Sequence, residues 1–327
     1  MSITLKIGAR GSPLSLAQTR QVAEKLETAN PGLKTEVVAI KTTGDKILDS
    51  PLAEIGGKGL FVKEIEQDLL DGKIDLAVHS AKDMPIELPK CLAIGCVPRR
   101  ADPRDVLISR YPGGIDGLPK YAMLGTSGLR RQAQILAIRP DLVIGPMRGN
   151  VATRLEKLKT EFDATILAAA GLARLGISPD NAVILNPEEM LPAAGQGALV
   201  LEVRDKDEAT RSIIAAINHH HTAMELAAER GFLSLLGSGC QLPVAALARL
   251  EGGSMTINGL IASLDGQRGL RGRHVREVET LDDAADLGRA LAKDMLDSGG
   301  EAIVREVIDL ADKSDDLAEA MGALEKL

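Results

Sequence analysis

The sequence predicts an α/β protein made of two strand–helix sets, followed by a small α+β unit. Three observations carry this. Short apolar runs (Leu5–Ala9, Glu36–Ile40, Asp75–Ser80) alternate with helical patterns in the first hundred residues. A second set repeats the style at Val106–Ile108, Met123–Thr126, Leu142–Ile144, Thr165–Leu167 and Val183–Leu185. Near the end, two strand-like segments, Val244–Leu250 and Met255–Ala262, precede two helical patterns at about Asp282–Leu296 and Glu301–Leu324. Strands alternating with helices point to parallel sheets, and 327 residues suit two or three domains.

The elements follow from local signals. After the first strand, Arg10-Gly-Ser-Pro13 opens a helix that runs to about Ala29. Ser12 is a good N-cap and Pro13 suits the first helical position. Val22, Leu26 and Ala29 recur at helical spacing, and Asn30-Pro-Gly32 stops the helix. Capping explains Ser12 and Pro13; Arg10 beside a helix N-terminus adds a plausible anion site. The stretch 42–59 has no clear period and is rich in Gly and Pro, as expected of a lid or binding loop. Its Gly56-Gly-Lys-Gly59 lacks the spacing of a nucleotide phosphate loop. Phe61, Ile65 and Leu69 mark the next helix, ending near Asp71-Gly72.

The third strand runs into Ala81-Lys-Asp-Met-Pro85. A lysine and an aspartate there sit where α/β sheets place ligand chemistry, although a solvated turn with a surface ion pair reads equally well. Cys96 lies in an apolar run and reads as strand core. Arg99–Asp105 has the look of a domain crossover. In the second set the strand ends carry basic groups: Arg130 and Arg131 after Gly125-Thr-Ser-Gly128, then Arg148, Arg154 and Arg174. Arginine recognises carboxylates through planar, bidentate hydrogen bonds. Several arginines at successive strand ends, in a chain of net charge −7, suggest an anionic ligand or a chain of them. Pro192–Gly197 precedes a strand at Ala198–Val203, and Asn218-His-His-His221 leads into helices running to Leu236. Three adjacent histidines on a helix do not face one metal.

Composition excludes several classes. Apolar residues make up 45% and charged residues 26%, as in an ordinary globular protein. Aromatic content is 2% with no Trp, which argues against binding nucleic acid by base stacking. Cys91, Cys96 and Cys240 are too few and too scattered for a disulfide framework or a zinc site. No apolar run is long enough to span a bilayer and no export segment is visible, so a reducing cytosol is the expected compartment. Cys240 stands in Gly237-Ser-Gly-Cys-Gln-Leu-Pro243. Taken alone it reads either as a buried apolar residue or as a thiol held out on a turn.

Taken together, Ile55–Phe61, Val78–Pro85, Asp102-Pro-Arg-Asp105, Gly125–Arg131, Arg148-Gly-Asn150, Gly195-Gln-Gly197 and Gly239-Cys-Gln241 resemble the porphobilinogen deaminase (hydroxymethylbilane synthase) family, in family order from residue 10 to about 243. The resemblance implies two periplasmic-binding-protein-like (type II) α/β domains, 1–98 with 199–216 and 103–193, and an α+β domain at 219–327. It implies a transferase that joins four porphobilinogen molecules head to tail with loss of ammonia, giving hydroxymethylbilane. A dipyrromethane cofactor, built from substrate, would be held by a thioether to Cys240, with no metal. Asp83 matches the catalytic aspartate. Ser12, Lys82, Asp83, Thr126, Gly128, Arg130, Arg131 and Arg154 match cofactor-binding positions. Arg10, Arg148, Arg154, Arg174 and Gln196 match substrate-binding positions, and Lys58 and Phe61 the functional end of a mobile loop. Glu54 and Gly128 depart from the lysine and serine of many relatives, which predicts altered affinity or loop behaviour. The resemblance further implies a cytoplasmic monomer in tetrapyrrole (haem) biosynthesis, with hand-over of product to uroporphyrinogen-III synthase and no nucleic-acid or membrane partner. Two other readings compete: a two-domain dicarboxylate-binding module, which leaves Cys240 idle, and a nucleic-acid binder, which the negative charge disfavours.

Overall fold

The computed structural model describes residues 4–42, 62–237 and 242–310. Residues 43–59 of the loop expected at 42–59, with Glu54, Lys58, Phe61, Cys240 and the end of the last helical pattern, lie outside the described residues.

The first sheet holds β1 (Thr4–Arg10), β2 (Lys34–Ile40), β3 (Leu76–Ser80) and β4 (Leu92–Cys96), joined by β10 (Leu199–Arg204). The order is β2-β1-β3-β10-β4, with β1 parallel to β2 and β3, and β10 antiparallel to β3 and β4. Helix α1 (Pro13–Ala29) starts as its sequence dictates: Ser12 Oγ accepts the Ser15 N–H at 3.3 Å, and Pro13 occupies the first turn. Its Val22 and Leu26 pack on Ile7 and Val78 of the sheet. Helix α2 (Lys63–Leu70) covers the other face through Ile65 and Leu69. Cys96 is buried as the strand-core reading expected, and burial pushes its thiol up to about 12.

The second sheet repeats this plan with β5 (Asp105–Ser109), β6 (Met123–Gly125), β7 (Val143–Gly145), β8 (Ala164–Ala168) and β9 (Ala182–Ile184). Its order is β7-β6-β8-β5-β9, and here β5 is the antiparallel strand. In each sheet the antiparallel strand is the one that directly follows a crossover from the other sheet, and it takes the fourth position. That shared topology is the periplasmic-binding-protein-like type II arrangement. Helices α3 (Leu129–Ile138), α4 (Val151–Lys157) and α5 (Ala169–Arg174) follow β6, β7 and β8.

After α6 (Glu208–Ala215) comes α7 (His220–Ser234), capped by His219, whose ring nitrogen accepts the Thr222 N–H. A third, antiparallel sheet, β11-β12-β13 (Val244–Glu251, Ser254–Ala262, Gly269–Glu277), packs against α7 and α8 (Leu281–Met295). Phe232, Ile257, Leu287 and Leu291 are central to that core. Thr280 and Asp283 close α8 with a reciprocal capping box. The chain kinks at Gly299 (φ 105°) and continues as helix 301–310. Strand β13 was not expected: Arg271, Arg273 and Arg276 interrupt any apolar run, which an edge strand tolerates.

Candidate active site

Every candidate on the described residues lies where a strand gives way to a turn or helix, apart from Gln196, which lies on the return crossover. Arg10 ends β1 and Ser12 caps α1. Lys82 and Asp83 lie in the single turn of 3-10 helix Ala81–Asp83 that follows β3. Thr126, Gly128, Arg130 and Arg131 follow β6; Arg148 and Arg154 follow β7; Arg174 follows β8. Parallel strands direct their C-terminal ends to one side, so one topology collects these groups.

On the first sheet's side, a pocket is lined by Arg10, Ser12, Ser15, Gln18, Ser80 and Asp83 among others. Gln18 Nε2 donates to Ser80 Oγ at 3.1 Å, tying α1 to the end of β3. The Asp83 carboxylate is exposed at this rim. Its neighbour Lys82 is half-buried and donates to Gln196 Oε1 at 3.4 Å. Burial lowers the Lys82 ammonium from its ordinary value, and the Asp83 charge offsets this only in part.

On the second sheet's side, a single carboxylate organises two of the cations, Arg130 and Arg131. Asp105, fully buried at the start of β5, lies 2.8 Å from Arg130 Nη1 and 2.8 Å from Arg131 Nη2. It also accepts Arg131 Nε at 3.2 Å and Gln196 Nε2 at 3.0 Å. Burial alone would raise its carboxyl; the charges of Arg130 and Arg131, with the Arg131 hydrogen bonds, outweigh that and hold it well below the carboxylate range. Arg130 Nη1 further donates to Leu191 O at 2.6 Å, and Arg174 Nη2 to Gly197 O at 2.7 Å. Thr126 Oγ1 accepts the Gly128 N–H at 3.2 Å and shapes the turn ahead of the arginines. Arg154 Nε donates to Gly149 O at 2.9 Å. Burial pushes the Arg154 and Arg174 guanidinia down to about 10, and for Arg154 the neighbouring charges of Arg131 and Arg148 act in the same direction. Crowded, partly desolvated cations of this kind gain most from an added anion.

The two crossovers run side by side beneath the site. Ala101 N–H donates to Gly197 O at 3.2 Å, and Ala81 N–H to Ala198 O at 3.0 Å. Gly195 (φ 74°) lies so close to the Lys82 turn that a Cβ there would meet Lys82 N at 2.9 Å. Arg100 on the first crossover forms a bidentate pair with Glu229 of α7, at 2.6 and 3.1 Å. Asp105 and the Arg100–Glu229 pair are the groups that reading the sequence missed. Asp105 stood in a recognised motif without a role, whereas nothing about Glu229 in mid-helix announced its partner 129 residues away. Among the described residues no cluster of His, Cys, Asp and Glu is arranged to hold a metal ion.

The cradle suits an acidic organic group. Of the five N–H donors on each guanidinium, the hydrogen bonds and ion pairs above commit two on Arg130 and two on Arg131. Three on each are uncommitted to protein among the described residues, enough for carboxylates of a bound ligand.

Residues 5–212 match the family model "Porphobilinogen deaminase, dipyromethane cofactor binding domain", and residues 223–297 match "Porphobilinogen deaminase, C-terminal domain". A porphobilinogen deaminase of Syntrophomonas wolfei is 50% identical over 303 residues, covering 92% of this chain and 98% of the relative. One of Syntrophus aciditrophicus is 48% identical over 306 residues, covering 93% and 99%. Among solved structures, the BenM effector binding domain with benzoate superposes with a TM-score of 0.40 at 14% identity, covering 69% of this chain and 95% of that one. With family models spanning both parts of the chain and relatives of near 50% identity along almost its whole length, the chain belongs to the porphobilinogen deaminase family.

Proposed function

We propose that the chain condenses four porphobilinogen molecules, with loss of ammonia, into the linear tetrapyrrole hydroxymethylbilane. The observation that supports this best is one exposed carboxylate, Asp83, which shares a pocket with Arg10 and adjoins Lys82, itself within electrostatic reach of Arg130 and Arg131. Each pyrrole brings an acetate and a propionate, so a lengthening chain needs a surplus of fixed cations. The pyrrole nitrogens become electron-poor as ammonia leaves, so they need one fixed anion.

The roles divide accordingly. Arg130, Arg131, Lys82, Ser12, Thr126 and the Gly128 turn hold the carboxylates of the resident cofactor. Arg10, Arg148, Arg154, Arg174 and Gln196 receive those of the incoming substrate. Asp83 accepts pyrrole N–H groups, stabilises the positive charge developing on them, and assists proton transfer. Once bound through Cys240, the dipyrromethane supplies a nucleophilic pyrrole α-carbon as primer. Lys58 and Phe61 belong to the covering loop in this reading, and the division into 1–98 with 199–216, 103–193 and 219–327 is part of it. So are a monomeric state, a cytoplasmic setting and hand-over of product to uroporphyrinogen-III synthase. Among the described residues no helix is long and apolar enough to cross a membrane.

Intact mass spectrometry tests the reading. After incubation with porphobilinogen, the protein should carry an excess mass of two porphobilinogen units less two ammonia, mapped to the Cys240 peptide, and should release ammonia. Cys240→Ala should carry none. Asp83→Ala should load poorly and turn over hardly at all. A bare chain mass and no ammonia after incubation would overturn the function; normal turnover by Asp83→Ala would remove Asp83 from it.

A further inference from the structure

We infer that Asp105 is a positioning residue for the reaction: an internal carboxylate that fixes Arg130 and Arg131 in the geometry the cofactor's carboxylates require. The inference rests on the functional reading above. It starts from an electrostatic anomaly at the N-terminus of α3. Helix N-termini carry partial positive charge and favour acidic residues in the first turn. This helix has no acidic residue there and no side-chain cap, since its N-cap is Gly128. Instead its first turn carries two arginines in succession, at positions 130 and 131. Three positive contributions therefore crowd one turn, and the compensating anion comes from another element.

Asp105 supplies it. The first residue of β5 points a fully buried carboxylate at this turn, with one oxygen serving Arg131 and Gln196 and the other lying 2.8 Å from Arg130. That second oxygen has an ion pair but no hydrogen bond of good geometry, so its hold on Arg130 is through charge. Leu191 O anchors the same Arg130 nitrogen at 2.6 Å. Each guanidinium is thus fixed along one edge and left with donors on the other. An arginine held this way loses less conformational entropy when it meets a second carboxylate.

Asp105 also links three parts of the site. Through Gln196, whose Nε2 also donates to Pro103 O at 2.7 Å, it reaches Lys82, the neighbour of Asp83. Both crossover segments therefore meet at this one carboxylate. Displacing it should shift the cofactor-binding arginines relative to Asp83, and an error of about 1 Å in such a placement costs on the order of 100-fold in rate.

The test compares wild type with Asp105→Asn, which keeps the shape and removes the charge. Circular dichroism and thermal melting first establish folding. Cofactor loading is then read by intact mass after a fixed incubation with porphobilinogen, and the loaded fraction is assayed for kcat and KM at a temperature well below the melting point. The expected result is a folded protein that loads less than about a tenth as fast as wild type. Its loaded fraction should turn over about 100-fold more slowly with KM changed less than about threefold, because of the five groups assigned to the incoming substrate only Gln196 is bonded to Asp105. A purely structural residue would lower the melting point and leave loading and kcat intact; that result overturns the inference. As a second arm, Asp105→Ala leaves room for a small carboxylate, so added formate should restore loading while formamide should not. Absence of rescue in a folded Asp105→Ala, or insolubility of both variants with and without formate, would mark Asp105 as a folding residue and refute the role. If wild type itself fails to gain the adduct, the proposed function fails; if wild type loads and Asp105→Asn loads equally, only this inference does.

Discussion

Glu229 offers the sharpest test of how the three sheets are held together. Its side chain is fully buried on α7 and accepts four hydrogen bonds: two from Arg100, one from Gly195 N–H at 2.6 Å and one from Ala248 N–H at 2.9 Å. Those donors belong to the first crossover, the second crossover and β11. Glu229→Ala leaves the almost fully buried Arg100 guanidinium without its main partner. Breaking such a pair by removing one member costs about 3–5 kcal/mol. At about 2.1 cal/mol/K of unfolding entropy per residue, a chain of 327 residues unfolding as one unit loses roughly 6 °C of melting temperature for about 4 kcal/mol. Differential scanning calorimetry would read this directly. The double variant Arg100→Met with Glu229→Met removes both charges and should recover at least half of the loss, since much of the single-variant cost is the stranded partner. A loss below about 1 kcal/mol in Glu229→Ala, or a double variant as poor as the two singles added together, would refute the reasoning.

Three further substitutions extend the test to a close approach in the same network, to an open turn and to a buried carboxyl. Gly195→Ala forces a side chain into the left-handed region, with its Cβ 2.9 Å from Lys82 N and 3.0 Å from Ala81 C. It should cost about 2 kcal/mol or more and reduce turnover by moving Lys82. Gly176→Ala, at φ 64° with nothing near its Cβ, should cost only the backbone strain of about 1–2 kcal/mol and leave turnover unchanged. Burial, and then the charge of Glu202, raise the Glu66 carboxyl above its ordinary value, against the weaker opposing effects of His79 and Lys63. The native state therefore holds this proton to higher pH than the unfolded chain, and stability falls as pH rises through the raised value. Melting curves of Glu66→Gln and wild type should coincide near pH 4 and separate in favour of Glu66→Gln near pH 8; separation at pH 4 alone would contradict this assignment.

Local chemistry made much of this architecture readable in advance. Ser12-Pro13 fixed the start of α1 and Asn30 its end, because capping is decided within a few residues. The placement of basic groups after β6, β7 and β8 was legible because strand ends face one way in such sheets. Strand β13 was not legible, since Arg271, Arg273, Arg276 and Glu277 break any apolar run and its pairing with β12 supplies the order its own sequence lacks. Neither was the role of Asp105 or Glu229, each of which acquires its meaning from partners brought close by the crossovers. The mobile-loop and Cys240 assignments rest on the family motifs, as those positions lie outside the described residues.

The fourth position in the first sheet has a consequence for the order in which the chain can fold during synthesis. The slot between β3 and β4 is filled by β10, which is made about a hundred residues after them. The second sheet uses only residues between Asp105 and Ile184. On the ribosome the later sheet can therefore close before the earlier one, which must wait with two strand edges open to pairing or to aggregation. A chain truncated after residue 198 and released from the ribosome should resist protease across 105–184 while remaining cleavable across 4–96, and equal protection of both segments would show that the first sheet closes without its last strand.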